Sequence, residues 1–556
     1  MQRSLIVRLA LCVSLAGGCD EDTTELDAGG GADAGAEMDA GGGTDAGTDA
    51  GAPTVDVCAE LGLDTSAFDA SATGSAWEQT AGDFTVETLD GPWTLSEHWS
   101  GCESYVFIAY ASNDYGRGLW ASNVDSLFTE GPRNVHYFFT TWEATPPEAE
   151  ARVTEMRDII EDGFEFQGVS EEDREFWRSR FLFVTTGVRS IEGSVGELAN
   201  GSAIILNAFA ITPQQRFDPG GSLMNIGRGG FVPDLGMARF LAPYYDYLRA
   251  LDAQIAADTD ATVVDLARDR PTTERTLDVT VTLPDASAMA GFDTLEVDVE
   301  LTCTLRPDEC SEWDRIAYVF FCEDATCDTR REIVRWITPY SRPGRRRWLM
   351  DATPFLGLLR DGGEQRFRMV FGPDWEEATE RTVSVSLRLN TREAADTATA
   401  AELAFRGGAF DATYNDREPY TFTPPAGTER VELVVLVSGH GQDATTNCAE
   451  WCDHEHTFAV GGTGVADISF PGEAGTPLGC AELANEGVPP GQWGNWSPLR
   501  AGWCPGLPVP ARRVDITDAV DLTGANELTY AGTLAGGEPG GGNIDLSAYL
   551  VYYASM

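Results

Sequence analysis

The sequence predicts a mainly β protein: two tandem antiparallel β-sandwiches, preceded by an α/β domain and a disordered tether. Three observations predict this. From about residue 270 the chain alternates apolar and polar residues in short runs, with turns every ~8–12 residues, the pattern of antiparallel sandwiches. Between residues 56 and 268, apolar strand runs alternate with helical patterns, which indicates a parallel or mixed sheet. Residues 20–55 are dominated by Gly, Ala, Asp and Thr and cannot bury enough apolar surface to fold.

The N-terminus reads as a signal peptide over residues 1–19. Arg3 and Arg8 flank or interrupt an apolar run from Leu5 to Ala16, too short to cross a bilayer as a mature helix. Gly17-Gly18-Cys19 follows and resembles a bacterial lipobox, which would make Cys19 the lipidated mature N-terminus. The alternative is an ordinary signal peptide cut nearby. The expected location is the bacterial cell envelope, lipid-anchored at the outer membrane or cell surface, or else secreted. The repeats of Asp-Ala-Gly in residues 20–55 then form a self-repelling spacer.

In the 56–268 region, Phe84 to Leu89 reads as a strand, and Tyr105 to Tyr110 as a buried strand by its unbroken apolar run. Asn134 to Thr141 is another. Pro146 to Glu161 and Met237 to Ala257 read as helices. The order resembles a thioredoxin-like domain of peroxiredoxin type. After the Tyr105 strand, where that family places its reactive cysteines, stand Ala111-Ser112-Asn113-Asp114-Tyr115. Dithiol chemistry is therefore absent, and a binding or scaffolding role is expected. The β runs divide into one sandwich over 270–396 and another over 400–556, with the break near 394–401.

Charge narrows the function class. The chain of 556 residues carries 89 acidic against 38 basic residues, a net charge of −51, and every basic residue is arginine. Such a chain repels nucleic acid and anionic membrane, so a membrane partner enters only through the lipid anchor. Of twelve cysteines, Cys12 falls in the leader and Cys19 in the lipobox. The rest fit an oxidising compartment, with expected pairs Cys58–Cys102, Cys303–Cys310, Cys322–Cys327, Cys448–Cys452 and Cys480–Cys504. Zinc-finger spacing of some pairs is the alternative, but the five histidines are too few to complete such sites.

Two segments carry chemistry: Cys310-Ser311-Glu312-Trp313-Asp314-Arg315 in the first sandwich and Cys448-Ala449-Glu450-Trp451-Cys452 in the second. Ile337-Thr338-Pro339-Tyr340, Gly494-Asn495-Trp496 and Arg500-Ala501-Gly502-Trp503-Cys504-Pro505-Gly506 accompany them. In this order and spacing the segments resemble the bacterial peptide-N-glycosidase F family over about residues 272–556. The resemblance implies two eight-stranded antiparallel jelly rolls with the active site between them. It also implies hydrolysis of the amide joining asparagine to the first GlcNAc of an N-glycan, leaving aspartate and a glycosylamine. N-glycoproteins would be the substrates, no cofactor or metal is expected, and the enzyme is expected to act as a monomer.

The residue chemistry agrees. Amide hydrolysis needs a base for water and an acid for the leaving amine. Two carboxylates divide those roles if burial raises one pKa and an arginine lowers the other. Asp314, beside Arg315, fits the ionised partner; Glu450, beside Trp451 in a tight cysteine loop, fits the raised one. By position match, Asp314 and Glu450 are catalytic, and Arg315, Arg500, Trp313, Trp375 and His440 bind substrate. Each acidic residue read alone would be an ordinary ion pair. Two positions depart from the family pattern. Aligning on Trp375 places Pro373 where a third carboxylate is expected; Asp374, Glu376 or Glu377 could substitute after a small shift, though none falls in register, and Ser311 replaces another acidic residue. His454 and His456 share a strand face and could chelate copper, yet no further histidine cluster supports a metal site. The rival function is a glycan-binding or scaffold lipoprotein of the same fold without turnover.

Overall fold

A computed structural model describes residues 56–142, 145–202, 207–219, 226–229, 232–303, 313–373, 375, 380–441 and 448–555. The leader with Cys19, the 20–55 tether, Cys310, Ser311 and Asp374 lie outside the described residues.

The first layer is α/β. Strands β1 (Phe84–Thr88), β2 (Gly91–Thr94), β3 (Ser104–Tyr110), β4 (Val135–Thr141), β5 (Phe181–Gly187), β6 (Glu192–Gly193), β7 (Ala208–Ile211) and β8 (Phe217–Asp218) form one mixed sheet. Its order is β2-β1-β5-β4-β3-β7-β8, with β6 beside β1. The central β3, β4 and β5 are parallel. β3 and β4 are buried at every position, which is why they read as unbroken apolar runs. Helix Pro146–Phe166 crosses from β4 to β5. Its prolines occupy the first turn, where no intrahelical N–H is needed, and Val153, Met156, Ile160 and Phe164 face the sheet at helical spacing. A short hairpin, β9 (Gly227–Gly229) with β10 (Val232–Pro233), precedes helix Leu241–Ala257.

The second layer is a sandwich of β11 (Thr262–Thr272), β12 (Thr276–Asp285), β13 (Thr294–Cys303), β14 (Ile316–Cys322), β15 (Arg330–Ile337), β16 (Gly344–Asp351), β17 (Gly362–Val370) and β18 (Arg381–Asn390). They form two four-stranded antiparallel sheets, β11-β18-β13-β16 and β12-β17-β14-β15. The third repeats the plan with β19 (Asp396–Ala409), β20 (Tyr420–Phe422), β21 (Arg430–His440), β22 (His454–Val460), β23 (Thr463–Ile468), β24 (Arg512–Asp515), β25 (Asn526–Leu534) and β26 (Asn543–Ser555). Its sheets run β19-β26-β21-β24 and β20-β25-β22-β23.

Two boundaries differ from the sequence reading. β11 pairs with β18 from Thr262 opposite Leu389, so the α/β layer ends at Ala257 rather than at residue 268. Bulges after Asp265 and Ala267 scramble its alternation and hide it from a period-two reading. β19 already begins at Asp396, inside the expected break at 394–401, so the sandwiches divide over residues 391–395. Its Ala- and Thr-rich start looks like a linker but pairs with β26 from Asp396 opposite Ser555.

Buried arginines join the layers. Arg335 of β15 has no solvent exposure. It chelates Glu332 through Nε at 2.7 Å and Nη2 at 2.9 Å, and donates to Ser438 Oγ on β21 at 2.9 Å and to Asp545 Oδ1 on β26 at 3.0 Å. Arg342, equally buried, donates to Asp218 of the α/β layer at 3.0 Å and to the Pro490 carbonyl of the third layer at 3.1 Å. Asp252, on the helix Leu241–Ala257, accepts from Arg345 Nη2 at 2.7 Å and Arg347 Nη1 at 2.8 Å, docking that helix on β16.

Four of the expected disulfides are present: Cys58–Cys102, Cys322–Cys327, Cys448–Cys452 and Cys480–Cys504. The pair Cys303–Cys310 involves an undescribed residue. Among the described residues no helix is long and apolar enough to cross a membrane.

Replacing Arg335 by leucine would leave Glu332 and Asp545 as buried charges without their cation. We expect a loss of about 3–5 kcal/mol, read as a lower denaturant midpoint. Unchanged stability would show that the joint does not depend on this arginine.

Candidate active site

The site lies where the second and third layers meet. Asp314 sits just before β14, and the Ile337-Thr338-Pro339-Tyr340 segment pins the chain around it. Arg315 N–H donates to Thr338 Oγ1 at 2.8 Å, and Thr338 N–H returns to the Arg315 carbonyl at 2.8 Å. Glu450 sits in a one-turn helix, Cys448–Trp451, closed by the Cys448–Cys452 bridge. That turn lies hard against β21: a Cβ on Gly439 would fall 1.6 Å from the Ala449 carbonyl oxygen, so only glycine fits there. The backbone N–H of Ala501 donates to the Glu450 carbonyl at 3.0 Å, tying the second motif to the third.

Arg500 links the two carboxylates. Its Nη2 is 3.6 Å from Asp314 Oδ2, and its Nε is 3.4 Å from Glu450 Oε1. The guanidinium is completely buried and donates to the Pro498 carbonyl at 2.8 Å, the Asn495 carbonyl at 2.5 Å and the Tyr340 hydroxyl at 3.1 Å. It lies over the Trp451 ring at 4.5 Å and the Trp503 ring at 5.1 Å. Gly494 lets Tyr340 close on this group, since a Cβ there would come 2.2 Å from the phenol ring.

The carboxylates are mostly buried, and both pKa values are raised. Desolvation pushes Asp314 up to about 6, against the opposing pull of Arg500, the Tyr340 hydroxyl and, more weakly, Arg315. Desolvation together with the nearby Asp314 pushes Glu450 up to about 7, again against Arg500. The sequence reading expected an arginine to lower Asp314; instead desolvation outweighs the arginines and raises it, as it does Glu450. The main cation acting on Asp314 is the distant Arg500, not its neighbour Arg315.

Above them opens a cleft of about 680 Å³, lined by Trp313, Asp314, Arg315, Tyr318, Tyr340, Pro373, Trp375, His440, Glu450 and Trp503 among others. Trp313 and Trp375 are exposed at its rim, and the Arg315 guanidinium lies 4.9 Å from the Trp375 ring centre. His440 lies 2.7 Å from Ser438 Oγ through Nε2 and packs on Trp503 at 4.6 Å. Desolvation holds its pKa near 3, so it stays neutral. Pro373 does line the cleft, while Asp374 is not described. The structure thus brings together Asp314, Glu450, Arg315, Trp313, Trp375 and His440 at the cleft. Arg500 stands beneath the carboxylates rather than in the lining. Tyr340 and Trp503 belong to the site although only their motifs stood out in sequence. Tyr318 carried no signal beyond its place in a strand.

His454 and His456 are fully buried and bond to each other at 2.7 Å, with His456 Nδ1 2.8 Å from the Tyr530 hydroxyl. His454 Nδ1 and both nitrogens of His456 face these partners, while His454 Nε2 is directed at Gly439. Among the described residues no group of three or more His, Cys, Asp or Glu is arranged to hold a metal.

Fold and site together define a class: tandem antiparallel sandwiches with a carboxylate pair held on one buried arginine at their junction. Comparison with known proteins narrows it. Residues 410–551 match the family model "Peptide-N-glycosidase F, C terminal". Peptide-N(4)-(N-acetyl-beta-D-glucosaminyl)asparagine amidase F of Elizabethkingia miricola is 30% identical over 235 residues. That match takes in 39% of this chain and 61% of the relative, so the chain spans about three fifths of that protein's length. A crystal structure of peptide-N(4)-(N-acetyl-beta-D-glucosaminyl) asparagine amidase aligns at 22% identity and TM-score 0.42, over 53% of this chain and 97% of that one. PNGF-II aligns at 10% identity and TM-score 0.43, over 55% and 67%.

The raised carboxylate has a stability consequence. Glu450 holds its proton up to about pH 7 in the folded protein, against an ordinary value of 4.5. Between those values the folded state binds more protons than the unfolded one, so stability falls as pH rises through this window and levels off above it. Glu450→Gln removes that penalty. The variant should unfold at higher temperature than wild type above about pH 7, with the difference vanishing below the ordinary glutamate pKa. Thermal unfolding of both proteins across pH checks this; a difference independent of pH would contradict it.

Proposed function

We propose that this protein hydrolyses the amide between asparagine and the first GlcNAc of N-linked glycans, leaving aspartate and releasing a glycosylamine. The observation that carries this reading is the pair Asp314 and Glu450, with separated pKa values, on one buried arginine below an aromatic cleft. The C-terminal family match and the named activity of the 30% identical relative support it.

Both carboxylates are raised and Glu450 the more so, which makes Asp314 the base and Glu450 the acid. Asp314 takes a proton from water as the water oxygen bonds to the amide carbon. Glu450 gives its proton to the amide nitrogen as the carbon–nitrogen bond breaks, and the glycosylamine leaves. Exchange with solvent then returns the proton from Asp314 and restores it on Glu450. Tyr340 donates to Asp314, and burial raises its own pKa so that it stays a donor. Trp313 and Trp375 offer faces for the apolar C–H surfaces of sugar rings, and Arg315 stands beside them as a donor to hydroxyls.

Several finer readings accompany this one. The strand order of both sandwiches supports two eight-stranded jelly rolls. The order β2-β1-β5-β4-β3-β7-β8, with parallel centre and antiparallel hairpin, supports a thioredoxin-like, peroxiredoxin-related first layer over residues 56–257, without redox cysteines. The lipobox-like Gly17-Gly18-Cys19 after the apolar run supports export and anchoring at the cell envelope.

Incubation with a denatured N-glycoprotein should shift its mobility and convert glycosylated Asn to Asp by mass. The rate should follow a bell-shaped pH profile, with its limbs belonging to the carboxylate pair. Asp314→Asn should lower the rate by ~10²–10⁴-fold. No conversion by wild type, with glycan binding retained, would replace the amidase reading by a binding role. Full activity of Asp314→Asn would overturn the site assignment.

A further inference from the structure

Among the described residues the α/β layer contributes none to the cleft, yet it holds the segment on which Arg500 depends. Trp496 is fully buried in an apolar cluster shared with Leu241, Ala242 and Tyr244 of that layer. Its indole N–H donates to the Gly227 carbonyl on β9 at 3.0 Å. The hydroxyl of Ser497 donates to the next carbonyl, Arg228, at 2.8 Å. These two clamped residues lie between Asn495 and Pro498, whose carbonyls accept from Arg500 Nη2 and Nη1 at 2.5 Å and 2.8 Å. The Cys480–Cys504 bridge closes the same loop.

We propose that the α/β layer is a positioning element of the active site: β9 fixes Trp496 and Ser497, and these set the two carbonyls that aim Arg500 at Asp314 and Glu450. The proposal rests on the amidase reading for its kinetic consequence but not for its structural one. Arg500 meets both carboxylates at 3.4–3.6 Å, short of close pairing, so its hold on them depends on being aimed from behind. The aim is set by backbone carbonyls, and a carbonyl is only as well placed as its own peptide. Two adjacent side chains hydrogen-bonded to a neighbouring layer supply that placement. Trp496 and Ser497 are thus positioning residues, acting on substrate only through Arg500.

The test uses the full chain with Trp496→Phe combined with Ser497→Ala, and Ser497→Ala alone in case the double variant does not fold. Ser497→Thr, which keeps the hydroxyl, is the rescue. A loosened Arg500 stabilises both carboxylate anions less, so the Asp314 and Glu450 titrations should move to higher pH in carboxylate NMR of isotope-labelled protein. In turnover, kcat should fall about tenfold and KM change less than about twofold, with the acid limb displaced upward; Ser497→Thr should restore both. A mere loss of stability would lower the denaturant midpoint and leave the titrations in place. Titrations of folded Ser497→Ala unchanged from wild type would overturn the proposal. Wild type without turnover would overturn the amidase reading alone, since the titrations still decide the positioning role.

Discussion

The site depends on keeping a guanidinium with no solvent exposure charged. Arginine holds its proton even when buried, so its charge must be met by acceptors and anions nearby. At Arg500 two carbonyls and a phenol take three hydrogen bonds, two indole rings cover the faces, and two carboxylates stand close enough to balance the charge. The same burial that excludes water from Arg500 desolvates Asp314 and Glu450. Burial raises both pKa values, Arg500 restrains both, and mutual repulsion lifts Glu450 further. Arg500 lowers both acids, and it is the Asp314 charge beside Glu450 that sets the second acid above the first.

The same device recurs where layers join. Arg335 holds the two sandwiches, and Arg342 meets all three layers. A chain without lysine is suited to this. The guanidinium carries five donors in a planar fork and forms bidentate pairs, whereas an ammonium desolvated in these joints would tend to lose its proton. The acidic excess of the chain is partly a surface matter, but Glu332, Asp545 and Asp218 are held on these arginines. The cleft lies beside the Arg335 joint: Ser438 bonds both Arg335 and the cleft residue His440. The two halves of the site are thus held in register by the interface that separates them.

Legibility of the fold followed how well burial maps onto sequence period. β3 and β4, buried on both faces, and the helix from Pro146 were plain. β11 and β19 were not, because bulges in one and small residues in the other remove the alternation that marks a strand. Four disulfides could be paired from spacing and compartment alone. At the site, rare strings such as Cys-Ala-Glu-Trp-Cys marked Glu450 and Arg-Ala-Gly-Trp-Cys marked Arg500. Tyr340 was visible only as part of its string, and Tyr318 not at all, since a strand tyrosine reads the same whether it faces a cleft or a core.

The sequence by itself determined the β-rich architecture, the oxidising chemistry of the cysteines and the identity of the two candidate carboxylates, because each is written in local period, spacing or motif. Only the tertiary structure decided which arginine governs those carboxylates. Arg315 is adjacent to Asp314 in the chain, but a solvent-facing charge beside an aromatic rim acts weakly on its neighbour. Arg500, distant in sequence, is buried against both acids, where the local dielectric is low and its field is least screened.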